Sequence, residues 1–552
     1  MRLGLAALAA IAAAGCAPQT HANPSSRALP AAVEREHLPR TRAERSNYTE
    51  TSRYADVLAF VDSLQKLGAP IVVGSMGTTT QGRAIPYVIA SRPRVRTPAE
   101  ARRLGRPIVY VQGNIHAGEV EGKEVLQALL RDLVFEQRLN VLDSVVFIAV
   151  PIYNADGNEA VATQERNRPS QNGPEIVGGR ASAQELNLNR DYVKAEAPET
   201  RASLAMFREW NPDVFVDLHT TNGSYHGYAL TYSPALTPAA PLAAYTQGVW
   251  LPLLRERMRQ RRRFETFDYG NFLSDFRDLA APTPATEGWA TFDWRPRYST
   301  NYYGMRNGIA ILSEAYSHDP FDRRVFATDA FVREILSLTA ERGGEILRLR
   351  ATATGQGAGQ VVPIRSRLTR SPLATDVIVE EVVSTGDSSR TEPGVPRGRR
   401  RTGNFRPVRM PVFDRFDPIL SVHVRRGYAI LGRHPAIMDL LAAHGIVVQR
   451  IDSPRIAALE RFTVDSVIRA ARPFEGHNEE SVTGRWSITT ESIPAGSYFV
   501  STDQPLGRLV VYLLEPESDD GLVTWNYFPG LGRGAIFPIA RLSPDVGSPT
   551  PQ

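Results

Sequence analysis

Short apolar runs that alternate with helix-like segments dominate the first 350 residues of this chain. Residues 107–111, 214–216 and 309–312 are short runs rich in valine and isoleucine, typical of buried strands. Residues 53–67 have apolar side chains at helical spacing, and residues 120–126 resemble the first turns of a helix. This alternation predicts an α/β fold with a mixed, mainly parallel sheet flanked by helices.

The pattern changes after residue 350. Residues 352–359 are small and glycine-rich, and residues 390–409 are rich in proline, glycine and arginine. We predict a solvated loop for the arginine run, with contact to anionic envelope polymers as the alternative. The tail is predicted to form a smaller, strand-rich α+β C-terminal domain. Its expected elements are one helix and two strands, at residues 435–444, 498–500 and 509–514.

Composition describes a globular protein of more than one domain. The chain has 552 residues, of which 42% are hydrophobic and 22% are charged. The net charge of +5 is small beside 64 basic and 59 acidic residues, so no nucleic-acid partner is predicted.

The first residues predict export and lipidation. A short basic start, Met1-Arg2, precedes an apolar segment at residues 3–14 that is too short to span a membrane comfortably. The segment ends in Ala-Ala-Gly-Cys, which resembles a bacterial lipoprotein processing site at Cys16. Cys16 is the only cysteine of the chain. In the alternative interpretation it is an incidental thiol within a cleaved signal peptide.

The candidate chemistry begins at the end of the run at residues 107–111. His116 and Glu119 follow it in His-Ala-Gly-Glu, and His219 ends the run at residues 214–216. Two imidazoles and one carboxylate leave a tetrahedral zinc ion one open position, as a catalytic zinc requires. The His-x-x-Glu spacing is common by chance, so its weight depends on the residues that accompany it.

Three further features accompany this set. Glu314 follows the run at residues 309–312, Asn189 and Arg190 form a polar pair, and Asp217 lies two residues before His219. Taken alone, a glutamate at a strand end is usually solvated, and an Asn-Arg pair is usually a loop contact. Asp217 alone could be a cap or a turn former. Acidic residues at Glu121 and Glu124 suit the start of a helix dipole, and we assign them no chemistry.

In this combination and order, the chain resembles the zinc carboxypeptidase family, the carboxypeptidase A-like metallopeptidases, over roughly residues 45 to 345. The resemblance implies that His116, Glu119 and His219 bind one zinc ion per chain. It also implies that Glu314 is the general base of peptide hydrolysis. Within this set Asp217 is expected to orient the metal site.

The same resemblance implies a grip on the substrate. Asn189 and Arg190 are expected to bind the terminal carboxylate of a peptide, because a guanidinium group can pair with a carboxylate through two hydrogen bonds. Such a grip would make the enzyme an exopeptidase. The predicted partner is therefore a peptide with a free C-terminal carboxylate.

Two implied positions are ambiguous in this sequence. An arginine that stabilises the oxyanion would be Arg166 or Arg168, and we prefer Arg166. A substrate-binding tyrosine would be Tyr298, Tyr302 or Tyr303, of which we select Tyr303, with core packing as the alternative.

One residue departs from the family pattern. Asn187 stands where many members have an aspartate that accepts a hydrogen bond from a zinc-bound histidine. Its side-chain carbonyl could still accept that bond, but it brings no negative charge, so the histidine would be less basic. A modest loss of metal affinity is expected.

The predicted function is a zinc metallocarboxypeptidase outside the cytoplasm, periplasmic or anchored to the outer membrane by a lipid on Cys16. The alternatives are an amidase or peptidase on cell-wall stem peptides and a catalytically silent envelope binding protein. The predicted division is a signal peptide, a tether, a zinc carboxypeptidase-like catalytic domain and the C-terminal domain, at residues 1–16, 17–45, 46–350 and 351–552.

The lipidation prediction has a direct test in a Gram-negative host. Wild-type protein should incorporate labelled fatty acid and sediment with membranes, because Cys16 offers the only thiol for diacylglyceryl transfer. Cys16→Ser should lose the label. Equal labelling of both proteins would contradict the prediction.

Overall fold

The structure is a computed structural model that describes residues 34–273, 287–354, 359–387, 395 and 398–543. The predicted signal peptide, Cys16 and the tether up to residue 33 lie outside the described residues. Within the described part of the chain, no helix is both long and apolar enough to cross a membrane.

Helices and strands alternate through the first part of the chain, as predicted. The helices are α1 (Arg42–Arg45), α2 (Tyr54–Lys66), α3 (Pro98–Arg103), α4 (Glu121–Phe135), α5 (Ala155–Glu159), α6 (Gln164–Asn167), α7 (Pro198–Trp210), α8 (Ala240–Tyr245), α9 (Leu251–Arg257), α10 (Ser299–Met305), α11 (Phe321–Thr354), α12 (Pro435–His444) and α13 (Gly507–Leu514). The strands up to residue 315 are β1 (Ile71–Thr78), β2 (Ala84–Ala90), β3 (Ile108–Gly113), β4 (Val146–Val150), β5 (Ala162–Thr163), β6 (Ile176–Val177), β7 (Val214–Thr220), β8 (Leu230–Pro234), β9 (Thr266–Asp268), β10 (Asn271–Phe272), β11 (Trp289–Ala290) and β12 (Ile309–Ala315). The later strands are β13 (Val361–Arg370), β14 (Thr375–Ser384), β15 (Arg399–Met410), β16 (Val412–His423), β17 (Gly427–Ile430), β18 (Gln449–Arg450), β19 (Arg455–Arg469), β20 (Glu480–Ile493), β21 (Tyr498–Ser501) and β22 (Ile539–Leu542).

The largest sheet has eight strands in the order β1-β2-β4-β3-β7-β12-β8-β9. Its centre is parallel, since β4 pairs with β3, β3 with β7, and β7 with β12 in the same direction. The pairs β1 with β2, β2 with β4, and β12 with β8 are antiparallel. The prediction of a mixed, mainly parallel sheet is confirmed.

Helices cover both faces of this sheet, which explains the apolar runs. In β7, Val214 and Val216 face a core that includes α2, α4 and α11, whereas Phe215 faces a core that includes α7 and α10. A strand buried on both faces has few places for polar residues, so the run is nearly continuous. Polar residues can enter only where the strand ends.

Helix α11 is longer than predicted. The sequence predicts a helix from about residue 328 to 347, with the glycine pair at residues 343 and 344 as an alternative earlier end. The helix instead spans Phe321–Thr354, with a kink at Arg342 (φ −113°, ψ 16°). Gly343 lies against Pro107, where an added Cβ would come within 2.8 Å of the proline ring. The glycine therefore permits close packing at the start of β3 and does not end the helix.

The C-terminal part is strand-rich, as predicted, with α12 and β21 at the expected places. Two details of the prediction are wrong. Residues 509–514 belong to helix α13, and the arginine run around residue 400 lies in β15, which pairs with β14. The apolar residues of α13 are buried, and a run that is apolar on every side does not distinguish a helix from a buried strand.

The C-terminal part shares its core and one sheet with the first part. Strand β16 pairs in parallel with β11, and the core beneath α7 and α10 continues into residues such as Ile364, Tyr428 and Leu440. At this junction Arg297 and Asp520 form a buried ion pair with side-chain exposures of 1% and 0%. The Nη2 of Arg297 lies 2.9 Å from Oδ1 of Asp520, and the Arg297 backbone N–H donates to Oδ2 at 2.8 Å.

This ion pair predicts a large change in stability. Asp520→Ala should lower the free energy of unfolding by about 3–5 kcal/mol, because it leaves a buried guanidinium without its main partner. Asp465→Ala, which removes the exposed partner of Arg485 on the surface of the same part, should cost less than about 1 kcal/mol. Urea denaturation of both variants measures the difference, and equal costs would contradict the prediction.

Candidate metal centre and substrate cavity

Three adjacent parallel strands, β3, β7 and β12, bring the candidate residues to one edge of the main sheet. Glu314 in β12 pairs in register with His219 in β7. His116 and Glu119 lie in the loop between β3 and α4. Since the carboxyl ends of parallel strands meet at the same edge, residues far apart in sequence become neighbours there.

The predicted ligand set forms a compact, buried group. Nδ1 of His116 and Nδ1 of His219 are 3.2 Å apart. Glu119 lies between them, with Oε1 3.0 Å from the first nitrogen and Oε2 2.9 Å from the second. Each of the three residues is 3% exposed. Their ligand atoms can therefore converge on one ion.

The outer nitrogens of both imidazoles have acceptors. Nε2 of His116 lies 3.0 Å from Oδ1 of Asn187, and Nε2 of His219 lies 3.1 Å from Oδ2 of Asp217. Oδ1 of Asn187 also accepts from the backbone N–H of Asn189 at 3.1 Å, which sets the orientation of that amide. With both Nε2 atoms donating, two Nδ1 lone pairs face each other beside a carboxylate. This arrangement suits a cation and fits zinc.

Burial and neighbouring charges shift the pKa of each of the three groups. Burial, and then the charge of Arg180, lowers the pKa of His116 to about 3. Burial opposes the ionisation of Glu119, but His116 and Arg168 outweigh it and the pKa of Glu119 is lowered. For His219, burial opposes protonation, yet the charge of Asp217 prevails and the pKa is raised.

A hydrogen-bond chain connects His219 to the first turn of α10. The Ser299 hydroxyl donates to Oδ2 of Asp217 at 2.5 Å, and the Ser299 backbone N–H donates to Oδ1 of Asn189 at 2.9 Å. The Asn189 amide nitrogen lies 3.4 Å from Nε2 of His219. Asp217 therefore orients a ligand, as expected from the sequence, and is held in turn by α10.

Two acidic residues after the His-x-x-Glu motif have more specific contacts than the sequence indicated. Glu121 is 1% exposed and accepts from the hydroxyl of Thr220, the residue after His219. Glu124 is also 1% exposed and accepts from the hydroxyls of Thr51 and Ser52 at 2.9 Å. These hydrogen bonds hold the start of helix α4 against the end of β7 and against residues 51 and 52, in addition to the interaction with the helix dipole that the sequence indicated.

A cavity of about 630 Å³ opens on the metal group. It is lined by His116, Glu119, Arg180, Asn189, Arg190, His219, Asn222, Tyr269, Asn271, Thr291, Phe292, Asp293, Trp294, Arg295, Tyr298, Thr300, Leu312, Glu314, Ser366, Leu368, Phe416 and Asp519. Glu314 is 6% exposed, and its Oε2 has no hydrogen-bond partner within the described residues. Burial raises the pKa of Glu314 to about 8, so its ionised form depends on nearby positive charge.

The arginine that faces the cavity beside Glu119 is neither of the two that the sequence suggested for the oxyanion. Arg166 is exposed and does not line the cavity. Arg168 is buried, donates to Oε1 of Glu119 at 3.0 Å, and bonds the backbone carbonyl groups of Thr220 and Thr221. Arg180 lines the cavity, with Nη1 3.3 Å from Oε1 of Glu119. The geometry thus favours Arg180 over Arg166.

A glycine explains how the loop of Arg180 comes so close to the metal group. Gly178, two residues earlier, lies against the backbone of Ala117, and an added Cβ would be 2.9 Å from that carbonyl oxygen. The Gly-Gly-Arg sequence at residues 178–180 is the signal that sequence analysis missed.

The three candidate tyrosines differ in whether they face the cavity or the core. Tyr303 is fully buried among Phe207 and Phe215, and its hydroxyl donates to the carbonyl oxygen of Pro212. Tyr302 is also fully buried, 2.8 Å from Nδ1 of His444. Only Tyr298 of the three lines the cavity. The structure therefore contradicts the selection of Tyr303, because this side chain lies on the face of α10 that packs into the core.

Arg190 lies at the same cavity as the metal group. Its guanidinium stacks on the ring of Tyr298, with Cζ 3.9 Å from the centroid, and Nη1 donates to the carbonyl oxygen of Asn189 at 2.7 Å. Within the described residues, no carboxylate forms an ion pair with Arg190. A stacked guanidinium with free donors is suited to bind an anion.

Comparisons with known proteins agree with this geometry. Residues 57–247 match the family model described as zinc carboxypeptidase. Carboxypeptidase 2 of Trichophyton rubrum is 22% identical over 478 residues, which cover 84% of this chain and 81% of that protein. Carboxypeptidase 2 of Trichophyton equinum is 22% identical over 483 residues, with coverages of 84% and 81%.

Two solved structures are also similar in part. A metallo-carboxypeptidase from Burkholderia cenocepacia has a TM-score of 0.38 at 16% identity and covers 52% of this chain and 70% of its own. A metallo-carboxypeptidase from Pseudomonas aeruginosa has a TM-score of 0.36 at 17% identity, with coverages of 54% and 70%. The resemblance to zinc carboxypeptidases is confirmed by the family match, and the buried His116, Glu119 and His219 group fits one zinc ion.

The metal assignment predicts a stoichiometry. The purified protein should hold about one zinc per chain after dialysis, since the described part of the chain brings together one buried set of this kind. His219→Ala should lose it, whereas His423→Ala, a change at an exposed histidine of β16, should retain it. Elemental analysis that finds full zinc in His219→Ala would contradict the assignment.

Proposed function

We propose that this protein, a zinc metallopeptidase whose residues 57–247 match the zinc carboxypeptidase family, removes C-terminal residues from peptides. The observation that carries the proposal is Arg190, which lines the same cavity as the metal group and has no carboxylate partner within the described residues. A carboxypeptidase needs a fixed positive charge that holds the terminal carboxylate of its substrate in the cavity of the reacting group. Arg190 meets that requirement, and Tyr298 holds its guanidinium plane.

The substrate would lie along the cavity with its terminal carboxylate on Arg190. Asn189 is 5% exposed, and its amide borders both the cavity and His219. This residue would fix the distance between the carboxylate and the scissile bond. Arg180, beside Glu119, would place a second guanidinium near the carbonyl oxygen of that bond and stabilise charge that develops there.

Glu314 would carry the proton transfer. When bound, zinc lowers the pKa of water to about 7 and polarises a peptide carbonyl group. Glu314 faces the cavity with an unpartnered carboxylate oxygen, so it can accept a proton from the attacking water. It can then donate that proton to the leaving amine. Its burial makes the protonated form accessible near neutral pH.

The C-terminal part would also contact the substrate. Ser366 and Leu368 in β13, Phe416 in β16 and Asp519 all line the cavity. Asp519 is held by the indole N–H of Trp294, which donates to its Oδ2 at 3.1 Å. These side chains form one side of the cavity and lie outside residues 57–247, the segment that matches the family model.

The proposed place of action is the cell envelope, on the evidence of the sequence around Cys16. A cell-wall amidase would need no free carboxylate on its substrate, so Arg190 favours the carboxypeptidase over that alternative. A silent binding protein would not require both a complete ligand group and Glu314.

The proposal is tested with matched blocked peptides that end in a free carboxylate or a carboxamide. Wild-type protein should cleave the free form far better, and Arg190→Ala should lower kcat/KM for it by about 10- to 100-fold, because a charge-assisted pair is lost. The same change should alter the slow cleavage of the amidated form little. Arg166→Ala, which removes an exposed guanidinium outside the cavity, is the matched control and should behave as wild type.

Glu314→Gln belongs in the same assay, since it shows that the activity comes from this site. It should lower kcat on the order of 10² or more while zinc remains bound. If wild-type protein cleaves amidated and free peptides equally well, the exopeptidase proposal is wrong, and an endopeptidase or amidase should replace it.

A further inference from the structure

Tyr269 lines the cavity but has no part in the proton transfer or the carboxylate binding proposed above. It follows β9, is 6% exposed, and lines the cavity together with Asn222 and Asn271. Its ring packs edge-on against Phe292, with centroids 5.8 Å apart. Phe292 in turn contacts Tyr298, 5.2 Å away, so two rings separate Tyr269 from the carboxylate clamp at Arg190.

The hydroxyl oxygen of Tyr269 accepts hydrogen bonds from two amides. Nδ2 of Asn222 and Nδ2 of Asn271 each lie 3.4 Å from it. The orientation of Asn271 is set from its other side, because its Oδ1 accepts from the Ser224 hydroxyl at 3.1 Å. The Ser224 oxygen in turn accepts from the backbone N–H of Phe272 at 3.2 Å. Asn271 therefore presents its donor to Tyr269.

Because both neighbours donate, the phenolic proton of Tyr269 has no acceptor among the described residues. Two other buried tyrosines differ in this respect, since Tyr316 donates to Glu380 and Tyr303 donates to the Pro212 carbonyl oxygen. A phenol that accepts two hydrogen bonds becomes a better donor through cooperativity. The cavity is where the Tyr269 proton can find a partner.

The surroundings keep this phenol neutral in the cavity that it shares with Glu314 and Glu119. Burial, and then the nearby charge of Glu314, raises the pKa of Tyr269 well above its ordinary value. Glu119 acts in the same direction. The proton is therefore retained throughout the pH range in which a peptidase works.

We propose that Tyr269 is a further catalytic residue, whose hydroxyl donates a hydrogen bond to the carbonyl oxygen of the scissile peptide bond as that oxygen becomes an anion. The inference rests on the proposed peptidase function. Asn222 and Asn271 are positioning residues, because they direct the phenolic proton into the cavity. No bond to Tyr269 forms or breaks in this role.

The first test is Tyr269→Phe, which removes only the hydroxyl. It should lower kcat by about 10- to 100-fold with little change in KM, as expected for a donor that acts on the developing oxyanion. Inhibition by a peptide phosphonate, whose tetrahedral anion resembles that state, should weaken by a similar factor. Tyr232→Phe is the matched control, because it removes a buried hydroxyl that accepts from Arg255 and does not line the cavity.

A second variant tests the direction of the proton. Asn271→Asp replaces a donor by an acceptor, so the Tyr269 hydroxyl should turn toward the new carboxylate and away from the substrate. The loss of kcat should then resemble that of Tyr269→Phe. In the double variant the two losses should not add, since the second change acts through a hydroxyl that is already absent.

The outcomes separate this inference from the function on which it rests. If wild-type protein cleaves no peptide while zinc is bound, the proposed function fails. If wild-type protein is active and Tyr269→Phe keeps kcat within about twofold, the role of Tyr269 is overturned. An Asn271→Asp loss that is equally large with and without the Tyr269 hydroxyl would overturn the positioning role.

Discussion

The site depends on one electrostatic constraint, which is that two imidazole lone pairs and a carboxylate face the same point. Nδ1 of His116 and Nδ1 of His219 lie 3.2 Å apart, and each Nε2 has an acceptor on its far side. Asn187 and Asp217 thus hold both rings in the tautomer that exposes Nδ1. A cation bound between them would be held by both lone pairs and by the carboxylate, and the surrounding network keeps these three groups in place for it.

The distribution of arginines follows from the same charge pattern. Glu119 is buried and negative, and Arg168 pairs with it from behind while also bonding the backbone after His219. That guanidinium has a structural role and does not reach the cavity. Arg180 and Arg190 remain on the cavity side, one beside the metal group and one on Tyr298. These two positive charges, one beside Glu119 and one on Tyr298, suit a substrate with an anionic end and a carbonyl group that becomes anionic.

The C-terminal part is integrated with this site and does not merely follow it in sequence. The backbone N–H of Asn187, whose side chain holds His116, donates to Glu475 at 2.9 Å. Asp520 holds Arg297, the residue before Tyr298. Contacts from more than 200 residues away therefore help to position both His116 and the segment that carries Tyr298, on which Arg190 stacks. A substitution in the C-terminal part that breaks one of these contacts should therefore alter the positions of side chains at the cavity, even where the substituted residue does not line it.

The sequence by itself determined the elements whose signal is local. The runs that became β3, β7 and β12 are apolar because both faces of those strands are buried, and the polar residues at their ends, His116, His219 and Glu314, were visible for that reason. Together with the resemblance to zinc carboxypeptidases, the order of those ends along the chain predicted a shared metal site.

Tertiary structure alone decided which loop side chains reach the cavity. Arg180 lines the cavity where Arg166 was predicted, and Tyr298 lines it where Tyr303 was predicted. The path of the loop and the side of α10 that faces the core depend on tertiary contacts, which a local sequence pattern does not contain. Tyr269 could not be predicted for the same reason, since its proposed role depends on hydrogen bonds from the side-chain amides of Asn222 and Asn271, which only the fold brings to its hydroxyl. Residues 507–514 form a helix and not a strand because burial on all sides removes the periodicity that would distinguish the two.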